Sequence, residues 1–280
     1  MNTTAPNTEQ ILKARLKKFG FTYGVAAGLA FAVALWGLDG IILSRSHAIF
    51  PWIKFIVGSI LTGLTGGLAG WLTARFGKIL LGILFWIVAS VLFAFYTVLV
   101  PLVIAPSLTG WFDPQIRPLL HYTLYDNLPT MIGVVFGWVV VSAIIIAILQ
   151  MPMIEQAVFS VTGFGKIKPH ILCAFLMLIS GGVADSFNNK PMRDPIVNLD
   201  AVIQFAVDTR GQEVDPVVSR EKHLAAFRQI QDIVQESRQL AVSRYDPLLE
   251  NIYILINFDG HLAECITFYT YPVNCTPITP

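Results

Sequence analysis

IKPHILCAFLMLISGGVAD, residues 167–185, decides how the rest of the chain is read. The chain before it is apolar enough for a bilayer, and the chain after it has the mixed polarity of a domain in water. Its uncharged stretch is close to the roughly 17 residues at which a helix only just crosses hydrocarbon, and Gly181-Gly182 interrupts it. If it crosses, it is the last of five spans. If it is re-entrant, the C-terminal tail stays on the same side as the N-terminus.

Mean hydropathy is +0.64 and only 13% of residues are charged, against roughly 25% in a soluble globular chain. This is the composition of a membrane protein. The formal net charge of +1 hides a split: up to residue 184 there are eleven Lys/Arg and five Asp/Glu, and beyond it eight and thirteen. The basic part suits loops lying against anionic headgroups, so the lipid bilayer is the expected surrounding, and the acidic tail argues against nucleic acid as a partner. The first apolar run, residues 20–43, is too long for the core of a signal peptide and lacks a cleavage signature, so it is expected to stay as a helix.

Working back from residue 167, four further spans are expected at about 20–43, 52–74, 78–104 and 130–149; with 168–185 they make a five-helix transmembrane domain over 20–185. Residues 1–19 form a basic amphipathic N-terminus, where Lys13, Arg15, Lys17 and Lys18 accompany Leu12, Leu16 and Phe19 at helical spacing. That is either an ordinary positive flank or a lipid-surface contact. Gly20, Gly24 and Gly28 share a face of the first span, and the second answers with Gly63 and Gly67 and the overlapping Gly66 and Gly70. Missing side chains let helices approach closely, so these spans are expected to pack as an antiparallel hairpin, with a pore lining or dimer interface as the alternative. The third span is bulky and aromatic and is expected to face lipid. The connector 105–129 carries too many prolines and charges for hydrocarbon, and its Trp111, Phe112, Tyr122 and Tyr125 suit the headgroup level.

With the N-terminus cytoplasmic, eight Lys/Arg (Lys13, Arg15, Lys17, Lys18, Arg75, Lys78, Lys166, Lys168) flank the cytoplasmic ends of the spans and three (Arg45, Lys54, Arg117) the opposite ends. That positive-inside bias predicts a multi-pass cell-membrane protein with an extracytoplasmic tail.

Residues 186–280 read as a small α+β domain. Residues 201–207 (AVIQFAV) are expected as a strand from their β-branched content, after a linker at Asp194-Pro195 and Asn198. Asp215-Pro216 is a helix start, an N-cap followed by proline at the first position, and that helix is expected to run to about Ala241. Residues 252–258 (IYILINF) and 262–270 are expected as strands joined at Asp259-Gly260, a strong hairpin signal. The units VIQFAVDTRGQE and YILINFDGHLAE resemble one another faintly. The fold class is therefore a polytopic α-helical membrane protein with five transmembrane helices and a C-terminal α+β domain, one helix on an antiparallel sheet.

Cys173, inside the fifth span, is most simply a small apolar residue. Cys265 and Cys275 both lie in the tail; outside the cytoplasm they are expected to form a disulfide, and inside it they would be two thiols. The nucleophile-elbow, zinc-protease, P-loop and dinucleotide-fingerprint signatures are absent. No metal or other cofactor is expected, because the five histidines are dispersed and no Cys-x-x-Cys occurs.

Asp39 is the charge inside a span, and such charges are functional suspects. It lies near the outer end of its helix, where reaching water or pairing with Arg45 accounts for it simply. The sharper alternative gathers Asp39, His47, Asp113, Arg117, His121, Asp126 and Asp185 into one polar vestibule at the outer membrane face. Two roles follow. One is a non-enzymatic accessory or scaffold subunit presenting its extracytoplasmic domain to another membrane or extracytoplasmic protein. The other is a subunit of a membrane transporter or membrane enzyme working through the outer cluster. The lack of repeated halves, of a mid-membrane ion pair and of any nucleophile–base arrangement favours the first.

Overall fold

Four helices among the described residues are long and apolar enough to cross a bilayer: Gly20–Arg45, Trp52–Phe76, Ile79–Leu99 and Ile171–Asn188. The computed structural model describes residues 8–48, 50–105, 108, 124–149, 169–208, 238–246, 251–268 and 271–278. Helix α1 (Thr8–Ala32) continues through a π-helical turn, Val33–Gly37, into α2 (Leu38–Arg45). Then come α3 (Trp52–Phe76), α4 (Ile79–Leu99), α5 (Leu124–Leu149), α6 (Pro169–Asn188) and α7 (Lys190–Asp208). Four of the five expected spans are among the helices long enough to cross, the marginal one at 168–185 included; the stretch expected at 130–149 lies in α5, whose apolar part among the fully described residues is Phe136–Ile148. The third span is α-helical to Leu99 and then continues as a π-helical turn, Val100–Ile104, at Pro101, whose ring nitrogen has no hydrogen to donate to an α-helical ladder.

Contacts divide the chain into two units, one of residues 1–37, 54–100 and 130–187, the other of 38–53, 101–129 and 188–280. In the helical unit, α1 and α3 run antiparallel with their backbones nearly touching. Gly20 lies on Gly70, Gly24 on Gly66 and Gly28 on Thr62, and a Cβ at Gly24 would collide with the carbonyl of Gly66. Gly63 and Gly67 meet the side chains of Leu29 and Phe21 instead. Between helices of this unit Ser142 bonds Ser180 (2.6 Å) and Thr65 bonds Tyr96 (3.1 Å). The third span is not wholly lipid-facing, because Trp86 and Phe93 are fully buried while Leu80, Leu84 and Val88 are exposed. Cys173 is buried.

The sheet unit holds four strands in sequential antiparallel order, β1 (Gln239–Asp246), β2 (Asn251–Phe258), β3 (His261–Phe268) and β4 (Tyr271–Ile278). β2 alternates between half-buried and buried positions, so Ile252, Ile254, Ile256 and Phe258 all point into one core. Across that core α7 contributes Ile196, Leu199 and Ile203. The β2–β3 turn uses Asp259 and Gly260, both with positive φ (47° and 98°), the arrangement that matches a two-residue hairpin to the right-handed twist of its strands. Cys265 and Cys275 sit opposite each other on β3 and β4 and are joined as a disulfide.

Sequence expectations change at several places in this unit. Residues 201–207 are helix, not strand, and the expected linker at Asp194-Pro195 and Asn198 lies inside the same helix. Ile196, Leu199, Ile203 and Val207 recur at helical spacing onto the sheet, and that burial outweighs the β-branched preference of the segment. The likeness between VIQFAVDTRGQE and YILINFDGHLAE is therefore not structural. The helix expected from Asp215 lies mostly outside the described residues, but its expected end at Ala241 falls within β1. Finally, Tyr271–Ile278 is a strand despite Pro272 and Pro277, because it is the rim of the described sheet, where a missing N–H breaks no ladder on the far side.

Candidate functional site

Helix α7 carries Arg193 and Asp200 seven residues apart, two turns along one face. Both are buried; Arg193 meets a residue near the end of the first span, and Asp200 one just beyond it. Arg193 donates from Nη1 to Asp39 Oδ1 at 3.0 Å, with the two side chains only 9% and 3% exposed. Asp39 is in the first turn of α2. One step further along, Asp200 Oδ1 accepts from Arg238 Nε at 2.7 Å, and Arg238 Nη2 donates to Gln204 Oε1 at 3.0 Å and to the Asp200 carbonyl. His47 Nδ1 lies 3.1 and 3.2 Å from the two carboxylate oxygens of Asp200.

Local backbone geometry explains how His47 arrives there. Helix α2 ends at Arg45, and Ser46 and Ala48 both donate to the carbonyl of Leu43. That tight reversal places His47 at φ 55°, in the left-handed region, which costs a residue other than glycine on the order of 1 kcal/mol. The conformation is held from both sides. The His47 carbonyl accepts from Leu240 N at 3.2 Å, and Ala48 forms a parallel bridge with Leu240. Phe50 covers Gly40, where a Cβ would strike its ring, and lies tilted against the Trp52 ring with centroids 4.3 Å apart.

Taking two charges out of water costs several kcal/mol each, and only close, hydrogen-bonded pairing offsets it. Asp39 with Arg193 and Asp200 with Arg238 meet that condition. The ladder therefore joins three pieces of chain that are distant in sequence: the end of the first span, α7 and the start of β1. It brings no nucleophile to a base. Among the described residues there is no group of three His, Cys, Asp or Glu side chains placed to hold a metal ion.

Of the seven residues expected at the outer face, Asp39 and His47 belong to this ladder. Asp39 pairs with Arg193, 154 residues away, and not with Arg45. Asp185 is buried on α6, in the other unit. Asp126 lies in α5 with its side chain outside the described set, and Asp113, Arg117 and His121 lie outside the described residues altogether. Arg193, Asp200, Gln204 and Arg238 were not among the expected site residues. Their signal was the i, i+7 spacing of Arg193 and Asp200, visible only once that segment is recognised as helix.

No family model matches the chain, and neither a curated protein nor a solved structure matches it.

Proposed function

We propose that this is an integral membrane protein of the non-enzymatic, accessory type, which displays a small α+β domain on the extracytoplasmic side to another membrane or extracytoplasmic protein. The observation that carries the proposal is the use made of the charged and polar side chains of the ladder. Asp39, His47 and Asp200 are all bonded to protein groups that tie one chain segment to another, which is the work of a scaffold. The Cys265–Cys275 disulfide supports the compartment, since such bonds persist in oxidising spaces and are rare in the cytoplasm. The positive-inside bias of the Lys and Arg residues points the same way.

The test uses the full chain in its native membrane. In a Cys173→Ser variant, thiols are blocked in intact cells, the protein is denatured, and maleimide uptake is counted before and after reduction. Uptake only after reduction is expected; uptake before it would place the domain in a reducing compartment and remove the proposal's footing. Crosslinking in the same cells is expected to capture a membrane or extracytoplasmic protein with the wild type. A role in transport or chemistry would show differently, as loss of a solute flux in Asp39→Asn with normal abundance.

A further inference from the structure

Helices α3 and α4 are separated by only two residues, Gly77 and Lys78. Gly77 makes the reversal in the left-handed region (φ 61°), and its amide donates to the Thr73 carbonyl at 3.0 Å, which closes the end of α3. Phe76 braces the link from the α3 side against Phe85 of α4, with ring centroids 5.6 Å apart. The turn therefore holds Arg75 and Lys78 three residues apart at the point where two exposed apolar stripes meet. On α3 the stripe ends with Leu64, Leu68 and Trp71, and on α4 it begins with Leu80 and Leu84. Arg75 lies over the Trp71 ring, 5.1 Å from its centroid. Tryptophan favours the headgroup level of a bilayer, so this contact anchors the guanidinium where lipid phosphates lie.

Neither cation is answered by protein. Among the described residues Arg75 and Lys78 are exposed and make no ion pair, and none of the Arg75 N–H donors has a protein acceptor. Acids are missing from the neighbouring sequence as well: there is no Asp or Glu from Gln10 to Leu38 or from Gly40 to Phe112. The packing of α1 on α3 brings further positive charge to this end, because Gly20 lies on Gly70 and Ala74 and the turn before it carries Lys17 and Lys18.

We propose that the α3–α4 turn is a seat for one anionic phospholipid: Arg75 and Lys78 take its phosphate diester, and the exposed Phe76, Ile79 and Leu80 lie against its acyl chains. The apolar flank favours a lipid over a soluble phosphate. The uncompensated positive charge selects an anionic headgroup over a zwitterionic one, whose ammonium group would meet cations and no carboxylate. The seat lies within the helical unit and does not rest on the accessory role proposed above.

Native mass spectrometry of the full-length protein, released from micelles holding equal amounts of phosphatidylglycerol and phosphatidylcholine, tests this. The wild type is expected to keep one phosphatidylglycerol in preference to phosphatidylcholine. A cation beside an anionic phosphate is worth about fivefold in binding, so Arg75→Gln with Lys78→Gln is expected to lower the phosphatidylglycerol affinity by about thirtyfold. Arg75→Lys, which keeps the charge and loses the planar fork, is expected to lose only about threefold. Arg45→Gln removes one charge at the other end of the first span and is expected to change nothing. Undiminished retention in the double variant, or equal uptake of phosphatidylcholine by the wild type, would overturn the seat. So would a loss in Arg45→Gln as large as in Arg75→Gln, which would mean diffuse attraction, or displacement by inorganic phosphate at the lipid's own concentration, which would mean a site for a soluble anion.

Discussion

The two units solve the same problem, holding helices and strands together, in opposite ways. In the helical unit the tightest contacts are made by residues with almost no side chain: Gly24 against Gly66, Gly20 against Gly70. In the sheet unit they are made by large side chains, Leu199, Ile203 and Phe258 among them, with a disulfide and buried ion pairs added. The solvent accounts for the difference. Lipid tails are as apolar as leucine, so burying leucine against another helix gains little, and close backbone approach becomes the main source of attraction. In water each buried apolar side chain contributes roughly 1.5–3 kcal/mol, so a small sheet and one helix can cohere through their core.

Breaking the ion pair on one side only should be the harshest test of this contrast. Asp39→Ala takes away the carboxylate to which the buried Arg193 guanidinium donates, and a loss of about 3–5 kcal/mol is expected in detergent-solubilised unfolding. Replacing both partners by apolar residues of similar size, Asp39→Leu with Arg193→Met, should cost far less; equal losses would mean that the attraction itself, and not the orphaned charge, dominates. Gly24→Leu comes next. It drives a side chain into the Gly66 carbonyl and should destabilise the helical unit by about 3 kcal/mol while the sheet hairpin keeps its protection against exchange. A shared loss would erase the distinction between the units.

Removing the disulfide with Cys265→Ala and Cys275→Ala is expected to cost about 2–3 kcal/mol, confined to the sheet unit, as read by protease cleavage in the tail. The smallest effect is at the turn. Gly260→Ala must hold an alanine at φ 98° and should cost about 1 kcal/mol, with Asn257 still able to accept from the residue 260 amide. A neutral result there would show that the hairpin register does not rest on this turn.

How much of this could be read from sequence follows the same division by solvent. The spans were legible because hydrocarbon admits only long apolar helices, and the glycine faces because spacing of four marks one side of a helix. The Asp259-Gly260 hairpin and the Cys265–Cys275 pair were legible because each is a local or covalent signal. Residues 201–207 were not, since Val202, Ile203 and Val207 favour strand until they are seen packing at helical spacing on a sheet that lies later in the chain. β4 was hidden by its prolines. Asp39 was recognised as suspect, but its partner was hidden by a separation of 154 residues along the chain.

One consequence remains in the last strand. β4 pairs with β3 through Thr267 opposite Pro272 and Ala263 opposite Pro277, and neither proline has an amide hydrogen. A stray strand approaching that rim would meet gaps at both positions, so the sheet is poorly suited to growing by addition from β4. Crowded side by side in a membrane, many copies of the domain could collide there without templating one another into a continuous sheet. The proline-bearing tail thus serves as a selvedge, finishing the fabric so that it does not run into its neighbour.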